Sequence, residues 1–451
     1  MVIDNAVKKI VSKLEIYSFR YFLIKKLNRY RKKLQDYKRF TWKALMNYEK
    51  RWRKLRKKYD QIYLYGIEFV SIGETMPRLF NLLEDIDRDD GKVLHVVLPT
   101  FFDHYVGGIY NRKIFDIFGK KIYFIKDSNI DFWTYIIYFH MHEVQTEMFD
   151  QYVSARLGGI KIRPGKPLLP FSKAEIEYGE SKLCEMGVKG EFICLYARES
   201  NVKTVDFGKR QGYESRYRNC DISTFYKTGR YFRDRNVQSV RIGKYETQEL
   251  MDKDIIDYAN TYYDEFMDFY LLSRCKFLVA CDGGMTVVCG NWGRPVLLTN
   301  AINLCYGWEC WPDTGYDMYI PKRFFSRREK RYLNLYEMLD VMNECGIYAS
   351  NFIKRGIVLE DNTEDEILEA SVELEARLKN LWEETEIEKS HYEKYWRILR
   401  QWESEHSYVV SRKKSGFAGY TMCFNRLSYN YLKNNLYLLD NEGSFKRKDV
   451  C

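Results

Sequence analysis

The sequence predicts an α/β protein built on parallel sheets, with a basic helical segment in front and a helical tail behind. Three observations carry this reading. Short buried strand-like runs alternate with helical stretches in two series along the body of the chain. Residues 160–170 hold three of the eight prolines and separate the two series. Both ends of the chain instead show apolar residues at steps of three and four.

The front segment is the basic part of the molecule. The net charge is +10, yet residues 1–60 alone carry 20 Lys and Arg against 5 Asp and Glu, which leaves the rest slightly acidic. Residues 6–58 contain no proline or glycine, and Ile10, Leu14, Tyr17, Tyr21 and Ile24 recur on one helical face. Trp42, Leu45, Tyr48 and Trp52 continue the pattern. A basic amphipathic helix with interfacial aromatics suits an anionic membrane surface. Two other readings are open: helices packed on the body or pairing subunits into a homo-oligomer, and nucleic-acid binding, for which no accompanying motif is present.

No run approaches the roughly 20 apolar residues of a spanning helix. The start lacks a secretory pattern, and the 11 cysteines are scattered without a CxxC pair. The expectation is a cytoplasmic protein with free thiols, in peripheral contact with the inner face of the plasma membrane.

The first series opens with a strand at Tyr63–Tyr65, a glycine turn at Ser71-Ile72-Gly73-Glu74, a helix over Met76–Glu84 and strands at Val93–Leu98 and Lys121–Ile125. Asp85–Asp90 reads as a solvated loop, despite its metal-like spacing of aspartates. His140 and His142 read as a core or partly exposed pair with no third ligand.

The second series is clearer. Strands are expected at Phe192–Ala197, Val237–Ile242, Phe277–Cys281 and Pro295–Asn300, with helices over Phe171–Met186, Asp221–Arg233, Tyr262–Ser273 and Val287–Trp292. In parallel sheets ligands bind beyond the carboxyl ends of strands. Arg198, Arg241, Lys244, Asp282, Gly283 and Gly284 all fall at those ends. Gly283 and Gly284 are expected to take positive φ and let a ligand approach the backbone. Met285 and Thr286 then open a helix whose free N–H groups suit a diphosphate. Asp282 has two readings, a ribose or sugar ligand and a helix cap. Arg198 and Arg241 each have a salt bridge to a nearby acid as their structural alternative, such as Glu199 for Arg198.

The tail reads as helical, with a capping box at Thr363–Glu366, an apolar stripe over Ile367–Leu381 and a last helix over Leu427–Leu439. The expected domains are thus 1–60, 61–165, 171–345 and 346–451.

The layout resembles the GT-B architecture, two Rossmann-like domains facing a cleft. The second half resembles a bacterial glycosyltransferase family associated with surface-polysaccharide and protein-glycosylation genes. The matching segments include Leu195-Tyr196-Ala197-Arg198-Glu199, Arg218-Asn219-Cys220-Asp221-Ile222, Val240-Arg241-Ile242-Gly243 and Ile256-Asp257-Tyr258-Ala259-Asn260. Asp282-Gly283-Gly284-Met285, Arg294–Asn300, Ile320-Pro321-Lys322 and Asn362–Ile367 continue the match. More distantly, the Asp-Gly-Gly region looks like the donor loop of heptosyltransferases, with Gly283 where a serine is frequent.

This resemblance implies an inverting, metal-independent transferase acting on a nucleotide-sugar, without a further cofactor. Arg198, Arg241 and Lys244 would be the cations on the diphosphate, and Gly283–Thr286 its N–H cradle. The base would come from the first domain, with Glu74 the first candidate and His104 the second. The acceptor would be a glycan, a lipid-linked glycan or a protein. Two other function classes fit the same layout: a non-catalytic module that binds a nucleotide or glycan, and a two-domain nucleotide-sugar epimerase.

Overall fold

The computed structural model describes residues 42–69, 72–100, 111–126, 128–148, 169–199, 216–244, 248–302, 315–346, 348–406 and 426–440. The chain divides into two compact units, one holding the described residues up to 148 and the other those from 169 onward. Residues 1–41, the loop with His104 and most of the proline-rich stretch lie outside the described residues.

The first unit runs α1 (Trp42–Lys58), β1 (Gln61–Glu68), α2 (Ile72–Arg88), β2 (Val93–Thr100), α3 (Lys113–Phe118), β3 (Tyr123–Phe124), α4 (Ile130–Phe139) and β4 (Gln145–Met148). The four strands form a parallel sheet in the order β3-β2-β1-β4. Alternation along β1 and β2 sends Ile62, Leu64, Val96 and Leu98 to one core, shared with Trp52, Phe132, Trp133 and Ile136. Tyr65 and His95 serve the opposite face. There the Tyr65 hydroxyl meets His95 Nδ1 at 2.9 Å, and His95 Nε2 meets Asp89 Oδ2 at 2.5 Å.

Three expectations change here. The helix begins at Ile72, so Gly73 and Glu74 lie in its first turn and not in a preceding loop. Asp85–Arg88 form its last turn instead of a solvated loop, with Asp87 paired to Lys121 at 2.6 Å. The aromatic stripe of α1 faces protein: Trp52 is 2% exposed, and Leu45, Tyr48 and Leu55 pack on the same core. Over these residues the packed-helix reading holds, and the interfacial-aromatic reading does not. His140 is a structural hub, 2.9 Å from Glu49 and 2.7 Å from Glu143.

The second unit opens with α5 (Lys173–Glu185), started by a capping box on Ser172 and Glu175. There follow β5 (Phe192–Tyr196), α6 (Tyr226–Arg233), β6 (Gln238–Arg241), β7 (Ile255–Asp257), α7 (Met267–Arg274), β8 (Leu278–Ala280), α8 (Gly284–Asn291), β9 (Val296–Ala301) and β10 (Met318–Pro321). Then come β11 (Arg323–Ser326), β12 (Arg331–Tyr332), α9 (Leu335–Cys345), α10 (Ala349–Lys354), β13 (Ile357–Glu360), α11 (Glu364–Leu378), α12 (Glu386–Glu405), β14 (Arg426–Leu427) and α13 (Tyr429–Asn434).

Seven strands form one parallel sheet, β14-β10-β9-β8-β5-β6-β7. Its central strands are buried on both faces, which explains their uninterrupted apolar runs. The tail is not purely helical. Residues 357–360 pair antiparallel with β11, and residues 426–427 extend the main sheet beside β10. The capping box on Thr363 and Glu366 starts α11 as expected.

Since α1 supplies Trp52 to the core, Trp52→Ala is expected to destabilise the first unit by about 3–5 kcal/mol. Urea unfolding followed by tryptophan fluorescence measures this. A loss under about 0.5 kcal/mol, the range of surface substitutions, would mean that α1 does not belong to the core.

Candidate functional site

The carboxyl ends of β5, β6 and β8 are adjacent in the sheet, so the segments that follow them share one rim. Arg198 follows β5. Its backbone is fixed on both sides: its N–H donates to Cys281 Sγ at 2.9 Å, and its carbonyl accepts from Cys220 N at 3.1 Å. Its guanidinium donates to Asn219 Oδ1. The Asn219 carbonyl in turn accepts from Lys322 Nζ at 3.0 Å, and Lys322 also pairs with Asp361. The loop carrying Arg218 and Asn219 is therefore anchored to the ends of β10 and β13.

Arg218 places a second cation at this point. Its Nη1 lies 3.9 Å from Asp282 Oδ2, while its buried Nε has no hydrogen-bond partner. Burial, and then the charge of Arg218, pull the Arg198 guanidinium below its ordinary value. Burial also pushes the Asp282 carboxyl up, against the pull of Arg218 and Arg198. Asp282 does not cap α8; that position is Gly283, which makes no side-chain cap bond.

The glycine bend works differently from the expectation. Gly283 has φ −174°, an extended backbone open to any residue, and Gly284 is not among the positive-φ glycines. Space is what requires glycine at 283. A Cβ there would stand 2.6 Å from Tyr196 Cε1 and 3.0 Å from its hydroxyl oxygen. Gly283 and Gly284 are both half-exposed, whereas Met285 and Thr286 are buried. Thr286 turns its N–H and its hydroxyl back to the Gly283 carbonyl, at 3.2 and 2.5 Å. The N–H groups of Gly284 and Met285 are left at the helix start without acceptors in the helix. Together with the dipole they favour an anion.

Arg241 does not join this site. Its side chain is 1% exposed and holds three loops together. It donates to Glu199 Oε1 at 2.6 Å, to Asp257 Oδ1 at 3.2 Å and to the Gln248 carbonyl at 2.9 Å. Arg198 is accordingly not paired with its neighbour Glu199, which serves Arg241. Lys244 is half-buried, three residues beyond Arg241 and just after Gly243 (φ 151°).

Of the expected bases, Glu74 has its backbone in the first turn of α2, with its side chain outside the described residues. His104 lies outside them altogether. The structure adds Arg218, Asn219 and Tyr196 to the rim. Arg218 follows no strand end, and its signal in the sequence is its place in the Arg218-Asn219-Cys220-Asp221-Ile222 segment. Among the described residues no group of three His, Cys, Asp or Glu side chains is arranged to hold a metal ion.

Two tests separate these roles. Arg241→Ala leaves Glu199 and Asp257 without their shared cation and is expected to cost about 3–5 kcal/mol of stability. Denaturant titration measures it, and a loss under about 1 kcal/mol would contradict the staple. For Asp282, the folded-state carboxyl titrates above its unfolded value, so the fold is favoured below the ordinary Asp range and weakened as pH rises through the raised value. Asp282→Asn should therefore raise the melting temperature at about pH 7 and leave it unchanged near pH 3. The same shift at both pH values would refute the burial of an ionisable carboxyl.

No family model matches the chain, and no curated protein matches it. Solved structures with a similar chain path include E. coli ADP-heptose LPS heptosyltransferase II, 10% identical with a TM-score of 0.34, covering 53% of this chain and 85% of that one. The family 9 glycosyl transferase of Veillonella parvula is 10% identical with a TM-score of 0.42, covering 70% of this chain and 97% of its own. The S. aureus MnaA–UDP co-structure is 13% identical with a TM-score of 0.29, covering 72% and 98%.

Proposed function

We propose that the chain is a glycosyltransferase that moves a sugar from a nucleotide-sugar to a glycan, a lipid-linked glycan or a protein. One observation supports this above the others. Two guanidinium groups, Arg198 held by Asn219 and Arg218 at 3.9 Å from Asp282 Oδ2, stand close together beside the start of α8. Two guanidinium groups beside a helix start suit a guest with more than one negative charge, such as a diphosphate.

In this reading the bond from the sugar anomeric carbon to the diphosphate oxygen breaks, and charge grows on the departing nucleoside diphosphate. Arg198 and Arg218 stabilise that charge in a partly buried setting where it counts for more than in water. Lys244 is a third cation for the same group. The acceptor hydroxyl forms the new bond to the anomeric carbon and gives its proton to a base. Glu74 is the first candidate for that base, with His104 the second. Inversion at the sugar carbon is what the heptosyltransferase-like resemblance of the Asp282-Gly283-Gly284 loop implies, and no metal is assigned to the step.

A thermal-shift screen of UDP, GDP, ADP and CMP tests the binding half of this proposal. At least one diphosphate should raise the melting temperature, with CMP weaker than the best of them. Arg198→Ala and Arg218→Ala should each weaken that nucleotide by about tenfold or more, as expected for loss of a charge-assisted contact. Unchanged affinity in both variants would remove the site. Release of the free diphosphate only with an acceptor present supports transfer, whereas sugar isomerisation without an acceptor would identify an epimerase.

A further inference from the structure

The basic character of the front segment takes a specific form in α1. Its inward side chains, Leu45, Tyr48, Trp52 and Leu55, are committed to the core of the first unit. Its outward face carries Lys43, Lys50, Lys54 and Lys57 at steps of seven, four and three, with Arg53 and Lys58 beside them, all exposed. At about 1.5 Å per residue the four lysines span about 21 Å. The one acid in the helix, Glu49, is drawn away from that row. It accepts from Tyr135 Oη at 2.8 Å, lies 2.9 Å from His140 Nε2 and accepts from Arg53 at 2.7 Å. Arg51 leans across the Phe132 ring at 4.2 Å and donates to Tyr123 Oη.

We propose that this outward face of α1 is a docking surface for an anionic lipid bilayer. The inference stands independently of glycosyl transfer. The row is straight and made mainly of lysine, whose hydrated point charges suit a diffuse plane of lipid phosphates more than the bidentate contacts that arginine makes. The same charge continues in sequence, since residues 1–41 add 12 Lys and Arg against 3 Asp and Glu. Because the rest of the chain is slightly acidic, the field orients this end toward a negative surface. The contact is electrostatic and non-inserting, since the aromatic side of the helix is inside the protein. It therefore differs from an amphipathic helix lying in the lipid interface.

Co-sedimentation of the full chain with extruded vesicles tests the surface. Vesicles with about 30% phosphatidylglycerol should bind at least about tenfold more strongly than pure phosphatidylcholine, and the preference should vanish near 0.5 M NaCl. The combined change Lys43→Gln, Lys50→Gln, Lys54→Gln and Lys57→Gln should weaken binding by at least about tenfold, given a severalfold effect per lysine at an anionic surface. The melting temperature should be unchanged, because all four side chains are exposed. The single charge reversal Lys54→Glu gives a second, smaller perturbation in the same direction. Full binding by the quadruple variant would assign the contact to residues 1–41 and overturn the proposal. So would equal binding to the two vesicle types, or binding of a DNA duplex but not of vesicles.

Discussion

The buried Arg241 guanidinium is the interaction on which the rim depends. It lies between Glu199 and Asp257 and ties the segments after β5, β6 and β7 into one rim. A buried cation needs its partners close, and here it takes two carboxylates and a backbone carbonyl. Glu199, next in sequence to Arg198, is thereby removed from the neighbour it would otherwise neutralise. Arg218 stands 3.9 Å from Asp282, whose carboxyl burial pushes above its ordinary value. The rim thus has a part built on Arg241 and a second part that carries Arg198 and Arg218.

Rigidity follows from the same pattern. Arg198 is held by its own backbone through Cys281 and Cys220. The loop with Asn219 is held by Lys322, which is 3% exposed and anchored on Asp361. Cations positioned this way need little reorganisation when charge develops beside them, which is the condition for electrostatic stabilisation. Tyr196 adds a steric condition. Its ring fills the space where any side chain at 283 would stand, so glycine is required there.

Much of this was legible in the sequence, and the failures have definite causes. The central strands Phe192–Tyr196 and Val296–Ala301 announce themselves because a strand buried on both faces must be apolar throughout. Edge strands do not. Ile255–Asp257 and Arg426–Leu427 are three and two residues long, too short to show a period. The capping box at Thr363 was readable because its chemistry is local. The role of Arg241 was not, because Arg on a strand end looks the same whether its partner is a ligand or an acid 16 residues away at Asp257. Gly283 was recognised for the wrong reason: its need for glycine comes from a ring 87 positions earlier, not from its own φ.

Helix α1 shows why composition alone misassigns a basic aromatic segment. Cations and aromatics alternating at helical spacing predict one face of each kind, but not which face meets protein. Burying an aromatic in a core stabilises by several kcal/mol, and exposing a lysine costs nearly nothing. Where the first unit offers Phe132, Trp133 and Ile136 as a surface, the aromatic face of α1 takes it. The lysine face is then outward by default, whatever it later meets. Its significance depends on charge left uncompensated: Glu49 is engaged by Tyr135, His140 and Arg53, and the exposed charged groups along the row are cations. A face with that asymmetry is oriented by any negative plane within about a Debye length, and at physiological salt that means within about 8 Å. Association through α1 is therefore a contact phenomenon, governed by the few lysines that reach the surface and not by the chain's net charge.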